Sequence, residues 1–124
     1  MVKQKILIVE DQSALAIALH DKFAREGFDT IHANDGLQGL EMIEKEKPDL
    51  VLLDIVMPRM DGLTMIKELR KIDPNNAIPI IILTNLTDSE AVLNSIESGI
   101  NDYLIKADWS LEDVVKKVKE KLRA

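Results

Sequence analysis

The sequence predicts an α/β fold built on a parallel sheet, and three observations carry that prediction. Strand-like and helix-like segments alternate five times along 124 residues, the order that yields βα repeats with right-handed crossovers. Three strand-like segments, Ile6-Leu7-Ile8-Val9, Leu50-Val51-Leu52-Leu53 and Ile80-Ile81-Ile82-Leu83, are unbroken aliphatic runs, the mark of central strands buried on both faces. Each run stops at a polar residue. Glu10-Asp11, Asp54 and Thr84 follow the three runs, and Tyr103-Leu104-Ile105 stops at Lys106. In a parallel sheet these ends share one edge, where open α/β folds place their sites.

The elements follow in order. The first strand spans Ile6–Glu10, and the first helix runs from Ser13 to Glu26 with Gly27 as its stop signal. Phe28–His32 is the second strand. Asp35 is a good N-cap for a second helix reaching Lys47. Leu50–Asp54 is the third strand. A third helix is expected over Gly62–Ile72, with Pro74 just beyond it. The fourth strand spans Ile78–Thr84, where Pro79 is tolerable only near the start. A fourth helix is expected over Ser89–Ser98 with Gly99 as its C-cap. Asp102–Lys106 is the fifth strand. The fifth helix follows Ser110, which opens a Ser110-x-x-Asp113 capping pattern. In that helix Leu111, Val114, Val115, Val118 and Leu122 share one face, and Lys116, Lys117, Lys119 and Lys121 lie off it.

Composition bounds the rest. One domain, residues 1–124, fits the length, and no linker, repeat or low-complexity segment divides it. No output domain is expected after Ala124, so the chain reads as stand-alone or as a piece of a longer regulator. There is no cysteine, which excludes disulfides and thiolate metal sites. The net charge of −6, from 16 basic and 22 acidic residues, argues against direct nucleic-acid binding and against anionic membranes. The start is basic, but the apolar run after it is too short for a signal peptide or a membrane span. A cytoplasmic location is expected.

Glu10, Asp11 and Asp54 would meet on adjacent strand ends. Two unit charges ~4 Å apart repel by about 4 kcal/mol at an effective dielectric near 20. Three carboxylates together therefore call for a counter-ion, and hard oxygen donors without histidine or cysteine suit Mg²⁺ or Mn²⁺. The alternative for each acid is a loop residue capping a helix.

Taken together, Val9-Glu10-Asp11, Leu53-Asp54-Ile55-Val56-Met57-Pro58-Arg59-Met60-Asp61-Gly62, Leu83-Thr84 and Asp102-Tyr103-Leu104-Ile105-Lys106 resemble the receiver domain of bacterial two-component response regulators. The likeness is to the stand-alone chemotaxis or sporulation-relay type and covers essentially the whole chain. It implies a flavodoxin-like (βα)5 three-layer sandwich with sheet order 2-1-3-4-5. It further implies that Asp54 is the phosphoacceptor, attacking the phosphohistidine of a sensor histidine kinase or histidine phosphotransfer protein. Asp11, with Glu10 through water, matches the Mg²⁺-binding acids, and Asp54 and the Val56 backbone carbonyl complete the metal set. Thr84 matches the switch hydroxyl, Lys106 the lysine that pairs with a phosphoryl oxygen, and Tyr103 the aromatic switch. Such a domain is a phosphorylation-dependent switch rather than an enzyme with an external substrate. Its output is the surface of the fourth helix, fifth strand and fifth helix, which would bind a downstream protein, an output domain or a second copy.

The pattern departs from the family in places. Proline commonly follows the lysine, with a cis peptide. Ala107 stands there, and a cis bond before it would cost about 3 kcal/mol, so a trans peptide is expected. Trp109 lies three positions after Lys106, which reads as a loop one residue longer. Asn85 replaces the small residue usual after the threonine. Val56 and Leu86, at positions that commonly tune hydrolysis, are apolar and offer nothing to orient water, so slow self-dephosphorylation is expected.

The first helix has two apolar sides. Leu15, Leu19 and Phe23 should face the core, and Ala14, Ile17 and Ala18 the outside, where the resemblance implies kinase docking. Alanine chosen for helix propensity is the competing reading. His20 and His32 lack metal-ligand spacing and read as structural or exposed. Other functions on similar patterns fit less well. A haloacid-dehalogenase-like phosphatase wants an acid where Val56 stands. A flavin carrier wants a phosphate loop where Glu10-Asp11-Gln12 would repel phosphate. A receiver-like scaffold that is never phosphorylated stays open, because of Asn85 and Ala107.

Overall fold

The computed structural model describes residues 3–11, 13–54, 65, 67–69, 71, 78–84, 102–105 and 110–123, with backbone alone at 54, 84, 102–105 and 123. Five strands, β1 (Lys5–Val9), β2 (Asp29–Ala33), β3 (Leu50–Asp54), β4 (Ile80–Thr84) and β5 (Asp102–Ile105), form one parallel sheet of order β2-β1-β3-β4-β5. This is the expected sheet order. Between β1 and β2 the chain moves one way across the sheet, and from β3 onward it moves the other way. The reversal leaves a switch point between the carboxyl ends of β1 and β3.

The aliphatic runs are buried on both sides, as their lack of alternation predicts. Leu7, Val9, Val51, Leu53, Ile80 and Ile82 face one layer, with Ile43, Met65 and Leu69 packed over them. Ile6, Ile8, Leu50, Leu52, Ile81 and Leu83 face the other, under Leu19, Phe23, Val114, Val115 and Val118. Helix α1 (Ser13–Arg25) and the C-terminal helix (Leu111–Arg123) therefore cover one face. Helix α2 (Gly36–Glu46) and the helical residues 65, 67–69 and 71 cover the other. The result is a three-layer sandwich.

Local chemistry fixes the element ends. At the end of α1 the Phe28 amide donates to the Phe23 carbonyl at 3.0 Å and the Gly27 amide to the Ala24 carbonyl at 3.2 Å. This paired pattern needs a left-handed residue, supplied by Gly27 at φ +90°. The Asp35 side chain caps α2 by accepting from the Gln38 amide at 3.0 Å, while Gln38 Oε1 accepts from the Asn34 amide at 2.7 Å. Ser110 and Asp113 form the expected reciprocal cap: Asp113 Oδ2 accepts from the Ser110 amide at 2.8 Å, and Ser110 Oγ accepts from the Asp113 amide at 3.2 Å. Gly39 lets α2 approach the sheet, since a Cβ there would meet Met65 Sδ at 2.6 Å and Val9 Cγ2 at 3.3 Å.

Several element bounds differ from expectation by one or two residues. β1 spans Lys5–Val9, with Glu10 just past it, and β2 is shifted one residue to Asp29–Ala33. Phe28 instead turns onto Phe23 in an edge-to-face contact, ring centroids 5.6 Å apart. β4 starts at Ile80, because Pro79 has no amide to donate and enters the ladder only through its carbonyl, which accepts from Val51 at 3.0 Å. The expected fourth helix and most of the expected third lie outside the described residues.

The helices on the second face are also joined by charge. Lys22 of α1 pairs with Glu112, and Lys119 Nζ lies 2.8 Å from Glu26 Oε1. The Lys119 hydrogen bond and charge hold the Glu26 carboxyl below its ordinary range, with Lys22 helping against partial burial.

Candidate functional site

The strand register brings the predicted polar residues to one edge. Val9 pairs with Leu53, so Glu10 and Asp54 follow side by side at the carboxyl ends of β1 and β3, on either side of the switch point. Asp54 pairs with Leu83, which places Thr84 one step beyond it on the next strand. Thr84 pairs in turn with Ile105, the residue before Lys106. An aliphatic ladder therefore delivers two acids and a hydroxyl residue to adjacent backbone positions. It does so because each run ends in register with its neighbour.

Glu10 and Asp11 diverge. Glu10 is buried, 1% exposed, whereas Asp11 is exposed. Burying a carboxylate is costly unless it is paired or hydrogen-bonded. Both backbone groups of Glu10 are hydrogen-bonded. The Glu10 amide donates to the Ala33 carbonyl at 3.0 Å, one step past the last paired residues of β1 and β2. The Glu10 carbonyl accepts from His32 Nε2 at 2.7 Å. His32 is exposed, as expected, but its spacing gives no hint of this contact. The signal that finds it is the register, in which His32 pairs with Ile8, two residues before Glu10.

The side chains of Asp54, Thr84 and Tyr103 lie outside the described residues, as do Val56 and Lys106 entirely and the 106–107 peptide, Asn85, Leu86 and Trp109. Among the described residues no group of three metal-binding side chains is gathered, and the third acid of the expected set is described by its backbone alone. The donor chemistry at the edge fits a hard divalent cation. Glu10, Asp11 and Asp54 bring carboxylates to two neighbouring strand ends, with no histidine or cysteine among the three.

On α1, Leu19 and Phe23 are fully buried and Leu15 is half-buried against the same cluster. Ile17 is 60% exposed, Ala14 is exposed and Ala18 is half-buried. Beside this side runs an open groove between α1 and β2, lined in part by Ile17, His20, Thr30, His32 and Asn34. Across it His20 Nδ1 bonds Thr30 Oγ1.

Residues 6–119 match the response regulator receiver domain family. The chain belongs to this family. It is 38% identical over 122 residues to sporulation initiation phosphotransferase F of Bacillus subtilis, covering 98% of this chain and 96% of that protein. It is equally identical, at 38%, to the DNA-binding response regulator MtrA of Mycobacterium tuberculosis, over 98% of this chain but only 52% of that protein. The chain thus spans about half the length of the MtrA relatives. Among solved structures, the response regulator receiver domain protein of Methanospirillum hungatei superposes with a TM-score of 0.89 at 30% identity, covering 98% of this chain and 95% of that one. The chain is accordingly a phosphoacceptor receiver of two-component or phosphorelay signalling. The flavodoxin-like architecture expected from its motifs is the one observed. Among the described residues no helix is long and apolar enough to cross a membrane.

Proposed function

We propose that this single receiver domain accepts its phosphoryl group on Asp54. The supporting observation is the register that sets Asp54 beside Glu10 at the switch point of the sheet. In this reading the Asp54 carboxylate attacks the phosphorus of a phosphohistidine on a sensor kinase or phosphotransfer protein. The P–N bond breaks, its electron pair stays on the imidazole, and an aspartyl phosphate forms. Nucleophile and donor are both anionic, so repulsion must be offset. Mg²⁺, or Mn²⁺, held by Glu10, Asp11, Asp54 and the Val56 carbonyl, would supply positive charge for the transferring oxygens. Lys106 pairs with one phosphoryl oxygen. Thr84 donates its hydroxyl to another and draws Tyr103 inward.

That local change in charge biases the surface around β5 and the C-terminal helix. The partner there is a downstream protein, an output domain or a second copy, and nucleic acid is not bound directly. The domain works in the cytoplasm. It catalyses only its own phosphorylation and dephosphorylation, and Val56 and Leu86 leave the latter slow. The phosphorylated domain should therefore lose its label faster in Val56→Asn, and an unchanged rate would count against this part.

The exposed side of α1 around Ile17 is the proposed docking face for the histidine-bearing partner. Ile17→Glu should lower the rate of phosphotransfer from a kinase by about tenfold or more, a charge placed in an apolar contact. Phosphorylation by a small donor should be spared, and equal loss with both donors would remove this assignment.

The direct test of the function is incubation with Mg²⁺ and acetyl phosphate, read by intact mass. A gain of about 80 Da, one phosphoryl group, that a chelator abolishes is the expected result. No gain over long incubation would overturn the proposal.

A further inference from the structure

Resting on that reading of the acidic edge, we infer that His32 is a positioning residue for the cation-binding acids, acting through the Glu10–Asp11 peptide. Nothing in the phosphotransfer scheme uses this side chain. Its contact is nevertheless with the backbone that joins the two acids. His32 Nε2 lies 2.7 Å from the Glu10 carbonyl oxygen. A carbonyl only accepts, so Nε2 carries the hydrogen. The Glu10 amide is already committed to Ala33 at 3.0 Å. That amide holds the preceding Val9–Glu10 peptide, and the His32 bond to the Glu10 carbonyl restrains the plane of the peptide joining Glu10 to Asp11.

That plane sets ψ of Glu10 and φ of Asp11, and thus where Asp11 points relative to Glu10. The observed outcome is a buried Glu10 and an exposed Asp11. A free carbonyl at this position could rotate toward water, and the acids would lose their fixed relation to Asp54. The strand pairing makes the contact possible. His32 pairs with Ile8 on the adjacent strand, so its ring needs to reach only two residues along β1. Partners of this kind, which touch a ligand-bearing residue rather than the ion, commonly govern metal affinity.

The test compares His32→Leu, which removes the donor, with His32→Gln, whose amide can restore one. The ¹H–¹⁵N signal of Asp11, whose amide belongs to the clamped peptide, is followed in the metal-free protein. The dissociation constant of Mg²⁺ alone is measured by calorimetry, and circular dichroism checks folding. His32→Leu is expected to shift the Asp11 signal and weaken Mg²⁺ binding by about tenfold. His32→Gln should recover most of both. An unmoved Asp11 signal in His32→Leu would overturn the clamp. So would a moved signal with wild-type Mg²⁺ affinity, or a glutamine variant as impaired as the leucine one while equally well folded. A wild-type protein that binds no Mg²⁺ would instead overturn the reading of the site itself, and the positioning role with it. The Asp11 signal would then still report whether the hydrogen bond exists.

Discussion

In β1, β3 and β4 a single residue step separates the packed interior from the chemical edge. Val9, Leu53 and Leu83 are 0–1% exposed, and Glu10, Asp54 and Thr84 follow them directly. The interior positions are interchangeable in kind, all aliphatic, and are held by volume and burial. The edge positions differ in kind, two acids and a hydroxyl, and are held by the register that the interior enforces. The lesson is that stability and function are carried by neighbouring residues with opposite sensitivities. The interior should tolerate no loss of volume, and the edge should tolerate loss of charge with little harm to the fold.

The largest expected effect is at the edge. Asp54→Asn should abolish phosphorylation outright while leaving the protein folded. Its thermal midpoint should be equal to or above that of the parent, because one carboxylate of a repelling cluster is gone. A midpoint that falls as far as for an interior truncation would break the comparison. One residue back, Leu53→Ala should cost about 2–5 kcal/mol in denaturant unfolding, the range for a buried leucine left as a cavity. The surviving folded fraction should still accept a phosphoryl group. If Leu53→Ala were mild, the interior would not be enforcing the register.

The smallest effect concerns the charges that join α1 to the C-terminal helix. Glu26 is lowered from its ordinary value of 4.5, first by the Lys119 hydrogen bond and then by the Lys119 charge. A carboxyl with a lowered folded pKa binds fewer protons folded than unfolded. Its stabilising contribution is therefore complete above about 4.5 and is lost as pH falls through the folded value. Glu26→Gln should lower stability slightly at neutral pH and converge with the parent as pH falls below 4.5. A loss as large in acid as at neutral pH would show that the side chain packs rather than pairs.

The sheet was legible because its central strands obey one rule. Ile6–Val9, Leu50–Leu53 and Ile80–Leu83 are too apolar to be anything but doubly covered, and they are. The caps at Asp35 and Ser110 and the stop at Gly27 were legible because each needs one residue type in one place. β2 was less so. It is an edge strand with mixed burial, and the pull of Phe23 on Phe28 moves its start by one residue. The acids at the edge could be read from where the apolar runs stop. His32 could not, because its partner is the backbone carbonyl of a residue 22 positions away. Spacing rules for ligands carry no information about such a bond. Only the parallel pairing of β1 with β2 does.

The central claim is that Asp54, and neither of the neighbouring acids, becomes the acyl phosphate. An acyl phosphate is reduced by borohydride to the corresponding alcohol, which turns a phosphorylated aspartate into homoserine. The protein should be phosphorylated with acetyl phosphate and Mg²⁺, reduced, digested and sequenced by mass spectrometry. Homoserine at position 54 alone, absent without Mg²⁺, is the result expected. Homoserine at position 11, or none at 54 in protein that has gained the phosphoryl mass, would contradict the account.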